Sequence, residues 1–211
     1  MSAETARDET VSDEGPKLYG EFASWFHLLT MPAGYAEEAT FYGDALIESA
    51  TGCPRTLLEL GSGGGNTASH LKKRFKLTLV DRSPGMLALS QTINPECEHL
   101  EGDMRSVRLR RQFEAVLIHD AVSYMTSEKD LRAAIETAFT HCRPGGAAIF
   151  APDHVRETFR AATNSGGHDG ERRSLRYLEW TSAPDPSNTT YITDFAYLLR
   201  ETDGSVRVVH D

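Results

Sequence analysis

Cysteine is scarce in this sequence, and long apolar stretches are missing from it. Cys53, Cys97 and Cys142 are scattered, odd in number and outside any Cys-x-x-Cys pattern. That spacing argues against a disulfide framework or a zinc cluster and indicates a reducing compartment, so a cytoplasmic location is expected. Because the sequence has no run of about 18 apolar residues, no membrane span is expected.

Positive charge is scarce as well. The formal net charge is −9, whereas nucleic-acid binding usually requires a basic surface. The one basic cluster is short and is expected to be a solvated loop; its members are Arg105, Arg108, Arg110 and Arg111. A nucleic acid is therefore not expected as a partner.

Metal-binding motifs and a secretory signal are also missing. His119-Asp120 and His168-Asp169 are adjacent pairs, and neither a His-Glu-x-x-His motif nor a cysteine cluster is present, so no metal site is predicted. Residues 1–16 contain five acidic side chains and one arginine without an apolar core. They are predicted to form a disordered leader rather than a signal peptide.

Short apolar runs alternate with amphipathic stretches between residues 55 and 152. Strands are predicted at 56–60, 76–81, 97–103, 113–120 and 147–152. Helices are predicted between them at 67–75, 83–93 and 127–142. Strands spaced by helices of this length form right-handed βαβ units, so the fold class is α/β, with a Rossmann-like, doubly wound, mainly parallel sheet.

The periodicity differs on either side of this core. Before it, 17–29 and 35–50 are predicted to form two N-terminal helices, which make up a lid over 17–50. After it, we expect a short helix at 153–162, a polar loop at 164–173 and an appended antiparallel β-meander over 174–211. The meander strands are 174–182, 189–201 and 205–211, and an Asp203-Gly204 turn joins the last two.

These segments are predicted to form one domain over 17–211. Because the sequence stops within a strand-like run, a further helix and strand are expected beyond Asp211. An exposed edge of the meander would allow two chains to pair across a two-fold axis, so a homodimer is one expectation.

A glycine-rich motif, Glu59-Leu60-Gly61-Ser62-Gly63-Gly64-Gly65, leaves the first strand and enters a helix. Glycines permit a tight turn and allow a ligand to approach the backbone closely. The pattern differs from the Gly-x-Gly-x-x-Gly dinucleotide motif because residue 66 is Asn. Glu59 would repel a phosphate but accept a hydrogen bond from an ammonium group, which favours an amino-acid-bearing nucleoside over a dinucleotide.

Two more acidic residues follow the next two strands. Asp81 ends the second strand, where a carboxylate can accept both ribose hydroxyls, and Asp103 follows the third strand, with Met104 next to it. Open α/β sheets bind ligands at the carboxyl ends of their strands. We therefore expect Glu59, Asp81 and Asp103 to converge on one cleft.

The sequence resembles the class I S-adenosyl-L-methionine (SAM)-dependent methyltransferases over residues 55–152, in LLELGSGGGNTASHL, LTLVDRSPGMLALS, EGDMRSV, FEAVLIHDAVSYM and CRPGGAAIF. The resemblance implies SAM as cofactor. It places Glu59, Gly61 and Gly63 near the methionine part and Asp81 on the ribose. It places four residues at the adenine: Arg82, Met86, Asp103 and Met104. Methyl transfer to a small-molecule acceptor, on nitrogen or oxygen, is the implied activity.

A weaker resemblance links FASWFHLL, Gly34-Tyr35, DAVSYM and PDHVRETF to the nucleotide-sugar N,N-dimethyltransferases. The DAVSYM loop departs from the Ser-Ser-Ile-Gly-His-Leu pattern of that group, since Tyr124 replaces a common His. The sugar substrate and the identity of a catalytic residue therefore both stay open.

Three residues after the fourth strand are candidates for catalysis. His119 is a candidate base with a reference pKa near neutrality, or else a lining residue of the cofactor pocket. Asp120 is a candidate to accept a proton or orient an amine, and Tyr124 to hydrogen-bond the acceptor. Tyr19 and Tyr35, in the aromatic N-terminal segment, are predicted to approach the cofactor as part of a lid.

Two other functions remain as alternatives. One is a SAM-binding protein without catalysis, and the other is an NAD-dependent oxidoreductase. SAM binding without a path from the methyl group to a second cavity would indicate the first alternative, and binding of NADH the second.

Overall fold

The computed structural model describes residues 15–183 and 189–211. Five parallel strands form the central sheet in the order β3-β2-β1-β4-β5. The strands are β1 (Thr56–Leu60), β2 (Lys76–Asp81), β3 (Glu98–Glu101), β4 (Phe113–His119) and β5 (Cys142–Ala151). The chain moves outward from β1 in one direction and from β4 in the other. The switch point therefore lies between β1 and β4, where open α/β sheets bind their ligands.

Helices cover both faces of this sheet. They are α1 (Phe26–Leu29), α2 (Ala36–Ser49), α3 (Ala68–Leu71), α4 (Pro84–Ile93) and α5 (Glu128–His141). Successive residues of β1 are buried on opposite faces of the sheet: Leu57 packs with α2 and α3, and Leu58 packs with α5. Burial of each such leucine stabilises the fold by roughly 1.5–3 kcal/mol, so the sheet is a rigid platform.

Serine side chains set the start of two helices. The Ser83 hydroxyl accepts a hydrogen bond from Met86 N at the start of α4, where Pro84 occupies the first helical position. The Ser127 hydroxyl accepts one from Asp130 N at the start of α5. Each N-cap contributes about 1 kcal/mol.

A second, antiparallel sheet has the order β6-β7-β8-β9. Its strands are β6 (Ala162–Gly166), β7 (Ser174–Ser182), β8 (Ile192–Arg200) and β9 (Val206–His210). One face packs on the N-terminal segment in a cluster that contains Leu18, Phe22, Trp25, Leu175, Tyr197 and Leu199. This cluster attaches the second sheet to the residues that precede α2.

The fold-class prediction is confirmed, with several changes at the level of elements. The meander forms a sheet of its own, and β6 is a fourth strand in the segment that was predicted as helix and loop. No helix forms at 153–162. β6 escaped prediction because its sequence, ATNSG, is small and mostly exposed, and the pattern of alternate burial that marks a strand is therefore missing from it.

The predicted N-terminal helix at 17–29 is divided into three pieces. Two 3-10 helices, Lys17–Tyr19 and Ala23–Trp25, precede α1, and Gly20 interrupts them with φ −105° and ψ −106°. A third 3-10 helix, Pro32–Tyr35, leads into α2.

Several boundaries in the core also differ from the prediction. The helix predicted at 67–75 is limited to the four residues of α3. β5 begins directly after α5, so the Arg143-Pro144-Gly145-Gly146 segment belongs to the strand. A register irregularity against Phe113 and Ala115 accommodates it.

Of the predicted leader, only Gly15 and Pro16 belong to the described residues. Within 15–183 and 189–211, no helix is both long and apolar enough to cross a membrane. Over the same ranges, no group of three or more His, Cys, Asp or Glu side chains is arranged to hold a metal ion.

Candidate functional site

Glu59 is the most deeply buried carboxyl group at the ligand-binding edge of the sheet. It lies near the end of β1 with 2% of its surface exposed. Its Oε2 atom has no hydrogen-bond partner. Burial raises the pKa of Glu59 to about 8; the Asp81 and Asp120 charges add to this effect, and His119 opposes it. A hydrogen-bond donor with positive charge would stabilise this carboxylate.

The glycine loop that follows β1 turns over Glu59. Gly61 N and Ser62 N both donate to Val80 O, at 2.8 and 3.0 Å. Gly61 has φ +73°, and a Cβ atom there would lie 2.3 Å from the Ala121 Cβ atom. Gly63 also has a positive φ of +52°, but no atom lies within 4 Å of the place where its Cβ would be. Gly61 is thus required by packing, whereas Gly63 leaves a surface that a ligand can approach.

Asp81 holds this loop from the end of β2. Its Oδ2 atom accepts a hydrogen bond from Gly63 N, and its Oδ1 atom accepts one from Ser83 N, both at 2.8 Å. Burial nevertheless raises the pKa of Asp81, against these hydrogen bonds and the Arg82 charge. Each carboxylate oxygen has a second lone pair, so Asp81 can still accept a ligand hydroxyl.

Asp103 lies at the same edge, but Arg105 engages its carboxylate. The Arg105 Nη2 and Nε atoms donate to Asp103 at 2.5 to 3.0 Å, and Arg105 Nη1 lies 3.4 Å from Asp130. The hydrogen bonds from Arg105 lower the pKa of Asp103. Arg105 is therefore an ion-pair partner rather than the solvated residue that the sequence indicates.

The remaining predicted cofactor residues surround this edge. Gly102 N donates to Asp81 O at 3.0 Å, which brings the third strand end to the second. The Arg82 charge acts on both Asp81 and Asp103. Met86 is fully buried in α4. The Met104 methyl group lies 2.7 Å from where a Gly61 Cβ would be, so it covers the glycine loop.

Unpartnered polar atoms are concentrated around the loop. In the part of the chain that the structure describes, four of the six buried side-chain polar atoms without a hydrogen bond belong to Glu59, Ser62, Asn66 and His119. A buried polar group without a partner costs about 1–3 kcal/mol, so natural sites of this kind require an explanation. A polar ligand that contacts the loop would supply the partners, and the residues present fit such a ligand.

His119 ends β4 on the other side of the switch point. It is 7% exposed, and its Nε2 atom lies 2.8 Å from Asp120 Oδ1 and 3.1 Å from Glu38 Oε1. These are ion-pair distances, although the orientation does not make a hydrogen bond. Burial lowers the pKa of His119, but the Asp120, Glu38 and Glu59 carboxylates outweigh it and raise the pKa to about 9. His119 is then protonated at neutral pH and is poorly suited as a base.

Asp120 has an unusual backbone, with φ +42° and ψ −47°. Such a conformation is uncommon for a residue other than glycine and is often found at functional sites. Asp120 N donates to Ala151 O, and Ser123 N donates to Asp120 O, both at 2.8 Å. These bonds fix the start of a 3-10 helix, Ala121–Tyr124, on the open side of the cleft.

Tyrosines from the N-terminal segment meet this helix. The hydroxyl groups of Tyr19 and Tyr124 lie 2.7 Å apart, and their rings meet edge to face at 5.6 Å. Burial raises the pKa of Tyr124 to about 12, so its hydroxyl is protonated at neutral pH and can donate a hydrogen bond. The Tyr35 ring meets His119 edge to face at 6.1 Å. The structure thus brings Tyr35 to the last residue of β4 and Tyr19 to the 3-10 helix that follows it.

Three residues of this cluster are not among those predicted from the sequence. Glu38 of α2 reaches His119 and accepts a hydrogen bond from Tyr42 at 2.9 Å. Asp153 follows the end of β5, next to Asp120. The strand-end rule that identifies Asp81 applies equally to Asp153, so a sequence signal was available. No comparable signal exists for Glu38 or Tyr42, which lie in the middle of an amphipathic helix.

Residues 57–146 match the family described as "Methyltransferase domain". A dTDP-3-amino-3,4,6-trideoxy-alpha-D-glucopyranose N,N-dimethyltransferase of Streptomyces venezuelae is 34% identical over 127 residues, which is 59% of this chain and 53% of that protein. A dTDP-3-amino-3,6-dideoxy-alpha-D-glucopyranose N,N-dimethyltransferase of Streptomyces fradiae is 29% identical over 144 residues, 66% of this chain and 56% of that protein. The chain spans about half the length of these curated relatives.

Solved structures show the same fold. DesVI of Streptomyces venezuelae superposes with a TM-score of 0.77 at 23% identity, covering 90% of this chain and 81% of that one. The sugar N-methyltransferase KedS8 from Streptoalloteichus superposes with a TM-score of 0.73 at 20% identity, covering 100% and 81%. The family match and the curated relatives confirm the predicted resemblance to SAM-dependent methyltransferases, and the solved structures confirm the fold.

Proposed function

We propose that this protein binds SAM where β1 and β2 end and transfers the methyl group to a small-molecule acceptor. The observation that carries the proposal is the Glu59 carboxyl group, buried beneath the glycine loop with one oxygen unpartnered. The ammonium group of a bound amino acid would supply both the hydrogen bond and the positive charge that this oxygen lacks. A dinucleotide phosphate would be repelled there, so the site favours SAM over NAD.

Other residues divide the binding of SAM between them. Asp81 would accept hydrogen bonds from the ribose hydroxyls while it holds Gly63 in place. Asp103, Met104, Met86 and Arg82 would border the adenine, with Asp103 oriented by Arg105. Tyr19 and Tyr35 would cover the site from the N-terminal segment and exclude water from it.

SAM supplies a methyl group that is already activated on a positively charged sulfur. The main task of the protein is therefore to hold and align the acceptor, which can contribute about 7–11 kcal/mol to lowering the barrier. Of the three predicted catalytic residues, Asp120 is the one suited to orient a cationic acceptor. His119 and Tyr124 are both protonated at neutral pH, so we assign His119 to orienting Asp120 and Tyr124 to hydrogen-bonding the acceptor.

The acceptor that we propose is an amine. Asp120 and Asp153 place negative charge on the acceptor side of the cleft, which favours a cationic group. The names of two relatives describe N,N-dimethylation of dTDP-linked amino sugars. Both observations support methylation on nitrogen rather than oxygen.

Calorimetric titration with SAM tests the first half of the proposal. The wild-type protein is expected to bind SAM, and Asp81→Asn to weaken binding at least about tenfold because one charge-assisted contact is lost. Asp44→Asn is the matched control, since Asp44 is an exposed residue of α2 paired with Arg74. Folded wild-type protein that binds NADH and not SAM would contradict the proposal.

Three other predictions remain proposals. The three cysteines are free, which supports a cytoplasmic location. The strands β6 and β9 are the edges of the second sheet and would allow a homodimer. Residues 17–211 would form one domain, supported by the cluster that joins the second sheet to the N-terminal segment.

A further inference from the structure

Asp153 lies beside Asp120 at the ends of two adjacent strands. His119 and Ala151 are register partners of β4 and β5, so the residues that follow them come together. Asp153 N donates to Ser123 Oγ at 3.1 Å, which fixes the backbone of Asp153 against the loop after β4. Burial raises the pKa of Asp153, and the Asp120 carboxylate is close enough to Asp153 for its charge to add to this effect.

This carboxyl pair is accessible from the open side of the cleft. Asp153 is an exposed residue, and 48% of the Tyr124 surface is exposed next to it. Burial raises the pKa of Tyr191, and the charge of the nearby Asp153 carboxylate adds to this effect. The rings of His154, Phe159 and Tyr191 lie 5.3 to 5.6 Å apart and form an aromatic wall on the same side.

Two buried groups behind the pair also indicate a ligand. His119 Nε2 makes no hydrogen bond, although its ring is more than nine-tenths buried and Nε2 points to within 2.8 Å of Asp120 Oδ1. Glu59 Oε2 is likewise buried and unpartnered, and its charge acts on both His119 and Asp120. The acidic pair is thus the outer part of a buried polar cluster whose hydrogen-bonding capacity is incompletely used.

We propose that Asp153, together with Asp120, binds the protonated amino group of the methyl acceptor and removes its proton. This inference rests on the proposed function, because it assigns the acceptor half of the same site. An ammonium group between the two carboxylates would offset their mutual repulsion and donate a hydrogen bond to each.

The proton transfer prepares the nitrogen for methylation. One N–H bond of the ammonium group breaks and its electron pair stays on nitrogen, while an O–H bond forms on the Asp153 carboxylate. The lone pair of the neutral amine would then form the N–C bond to the methyl group as the S–C bond of bound SAM breaks and leaves its electron pair on sulfur, with Asp153 a neutral carboxyl group. Because Asp153 is exposed, its proton passes to water before the next turnover.

Charge and pKa favour Asp153 over its neighbours for this role. Partial burial and the Asp120 charge raise the pKa of Asp153 to about 6, with Ser123 and His119 opposing. A base works best when its pKa lies near the working pH. His119 and Tyr124 have pKa values raised to about 9 and about 12, so both are protonated. Asp120 is already in contact with the His119 ring, and Glu38 and Tyr42 face His119 from α2 rather than the acceptor side.

The test compares Asp153→Asn and Asp153→Glu with wild type and with the surface control Asp44→Asn. The acceptor probe is dTDP-3-amino-3,6-dideoxy-alpha-D-glucopyranose, with its 3-hydroxy counterpart as the uncharged comparison. SAM affinity is measured by calorimetry and methylated product by mass spectrometry from about pH 5.5 to 9. Wild type is expected to methylate the amine and not the alcohol, with kcat/KM falling below about pH 6.

Asp153→Asn is expected to retain SAM affinity within about twofold and to lose roughly 100-fold or more in kcat/KM. It should also lose the acidic limb of the pH profile, and Asp153→Glu should restore part of both. Unchanged kcat/KM in Asp153→Asn, or a raised KM with the wild-type pH profile, would overturn the assignment. Wild type that binds SAM and methylates the alcohol but not the amine would overturn this inference and the choice of an amine acceptor, and would leave SAM-dependent methyl transfer standing. Absence of SAM binding would overturn the proposed function as well.

Discussion

Two buried side chains at the centre of the cleft, Glu59 and His119, both have pKa values well above their usual ranges. The Glu59 pKa is raised from 4.5 to about 8 by burial. The His119 pKa is raised from 6.5 to about 9, because three carboxylates outweigh its burial. In both cases the folded protein holds a proton that the unfolded chain releases at lower pH. Both contributions to stability are therefore lost as pH rises through the folded-state pKa values.

The cofactor-free protein is accordingly expected to lose stability between about pH 5 and pH 9. Glu59→Gln removes one of the two titrating groups. The free energy of unfolding of this variant should therefore fall less steeply with rising pH than that of wild type, with a slope smaller by up to about 1.4 kcal/mol per pH unit. Urea unfolding across this range measures the slope. Glu48→Gln, an exposed change on α2, should retain the wild-type slope; identical slopes in Glu59→Gln and wild type would show that Glu59 stays ionised.

The two positive-φ glycines of the loop differ in what surrounds them. Gly61→Ala places a methyl group 2.3 Å from Ala121 Cβ in addition to straining the backbone, so a destabilisation of about 2–4 kcal/mol is expected. Gly63→Ala meets no atom within 4 Å and should cost only about 1–2 kcal/mol. Urea unfolding without SAM measures both values. Equal losses would mean that the Ala121 contact relaxes at no cost.

For individual residues, the sequence predicts where a side chain lies in the fold better than which side chain it pairs with. Glu59 and Asp81 are found from the rule that parallel strands present their carboxyl ends at one edge. Arg105 engages Asp103 through a side-chain geometry that no spacing rule gives. The high pKa of His119 depends on Glu38, which is 81 positions away in the sequence and comes close through tertiary packing.

Among the elements, the second sheet differs most from the expectation. The strands β7, β8 and β9 are predicted because their sequences are rich in β-branched and aromatic residues. Gly204, with φ +84°, occupies the predicted turn, and Glu201 N donates to Ser205 O across it. The edge strand β6 was missed because it contributes hydrogen bonds to β7 but few buried side chains.

Two neighbouring leucines of β8 test which face of this sheet is structural. Leu199 is 1% exposed and packs on the N-terminal segment, whereas Leu198 is 46% exposed on the opposite face. Leu199→Ala is expected to destabilise the protein by about 2–5 kcal/mol, and Leu198→Ala by no more than about 0.5 kcal/mol. Thermal and urea unfolding measure both. A reversed order would mean that the second sheet packs through its other face.

For the molecule as a whole, the N-terminal segment is held by the far end of the chain. Lys17 N and Leu18 N donate to the two carboxylate oxygens of Asp211, at 3.0 and 3.1 Å. Ser83 Oγ donates to Tyr19 O at 2.5 Å. The segment that carries Tyr19 is thus fixed by the second sheet on one side and by α4 of the central sheet on the other.

Asp211→Ala should therefore affect the cleft from a distance. Loss of two hydrogen bonds is expected to destabilise the protein by about 1–3 kcal/mol, and SAM should dissociate several-fold faster because Tyr19 is less restrained. Stopped-flow displacement measures the dissociation rate. The control Asp203→Ala removes the turn contacts to Ser205 instead and should lower stability without changing that rate. An unchanged dissociation rate in Asp211→Ala would show that the second sheet does not affect SAM binding through Tyr19.

The hydrogen bond between Lys17 N and Asp211 joins residues 194 positions apart, so it affects the order in which parts of the protein can fold during synthesis. A ribosome adds on the order of 5–20 residues per second, so the N-terminal segment is synthesised roughly 10–40 s before its anchor. The central sheet and its helices can pack together in that interval. The segment that carries Tyr19 is held against Tyr124 only after β9 and Asp211 are made. Newly made chains would thus complete their core first and their cofactor cover last.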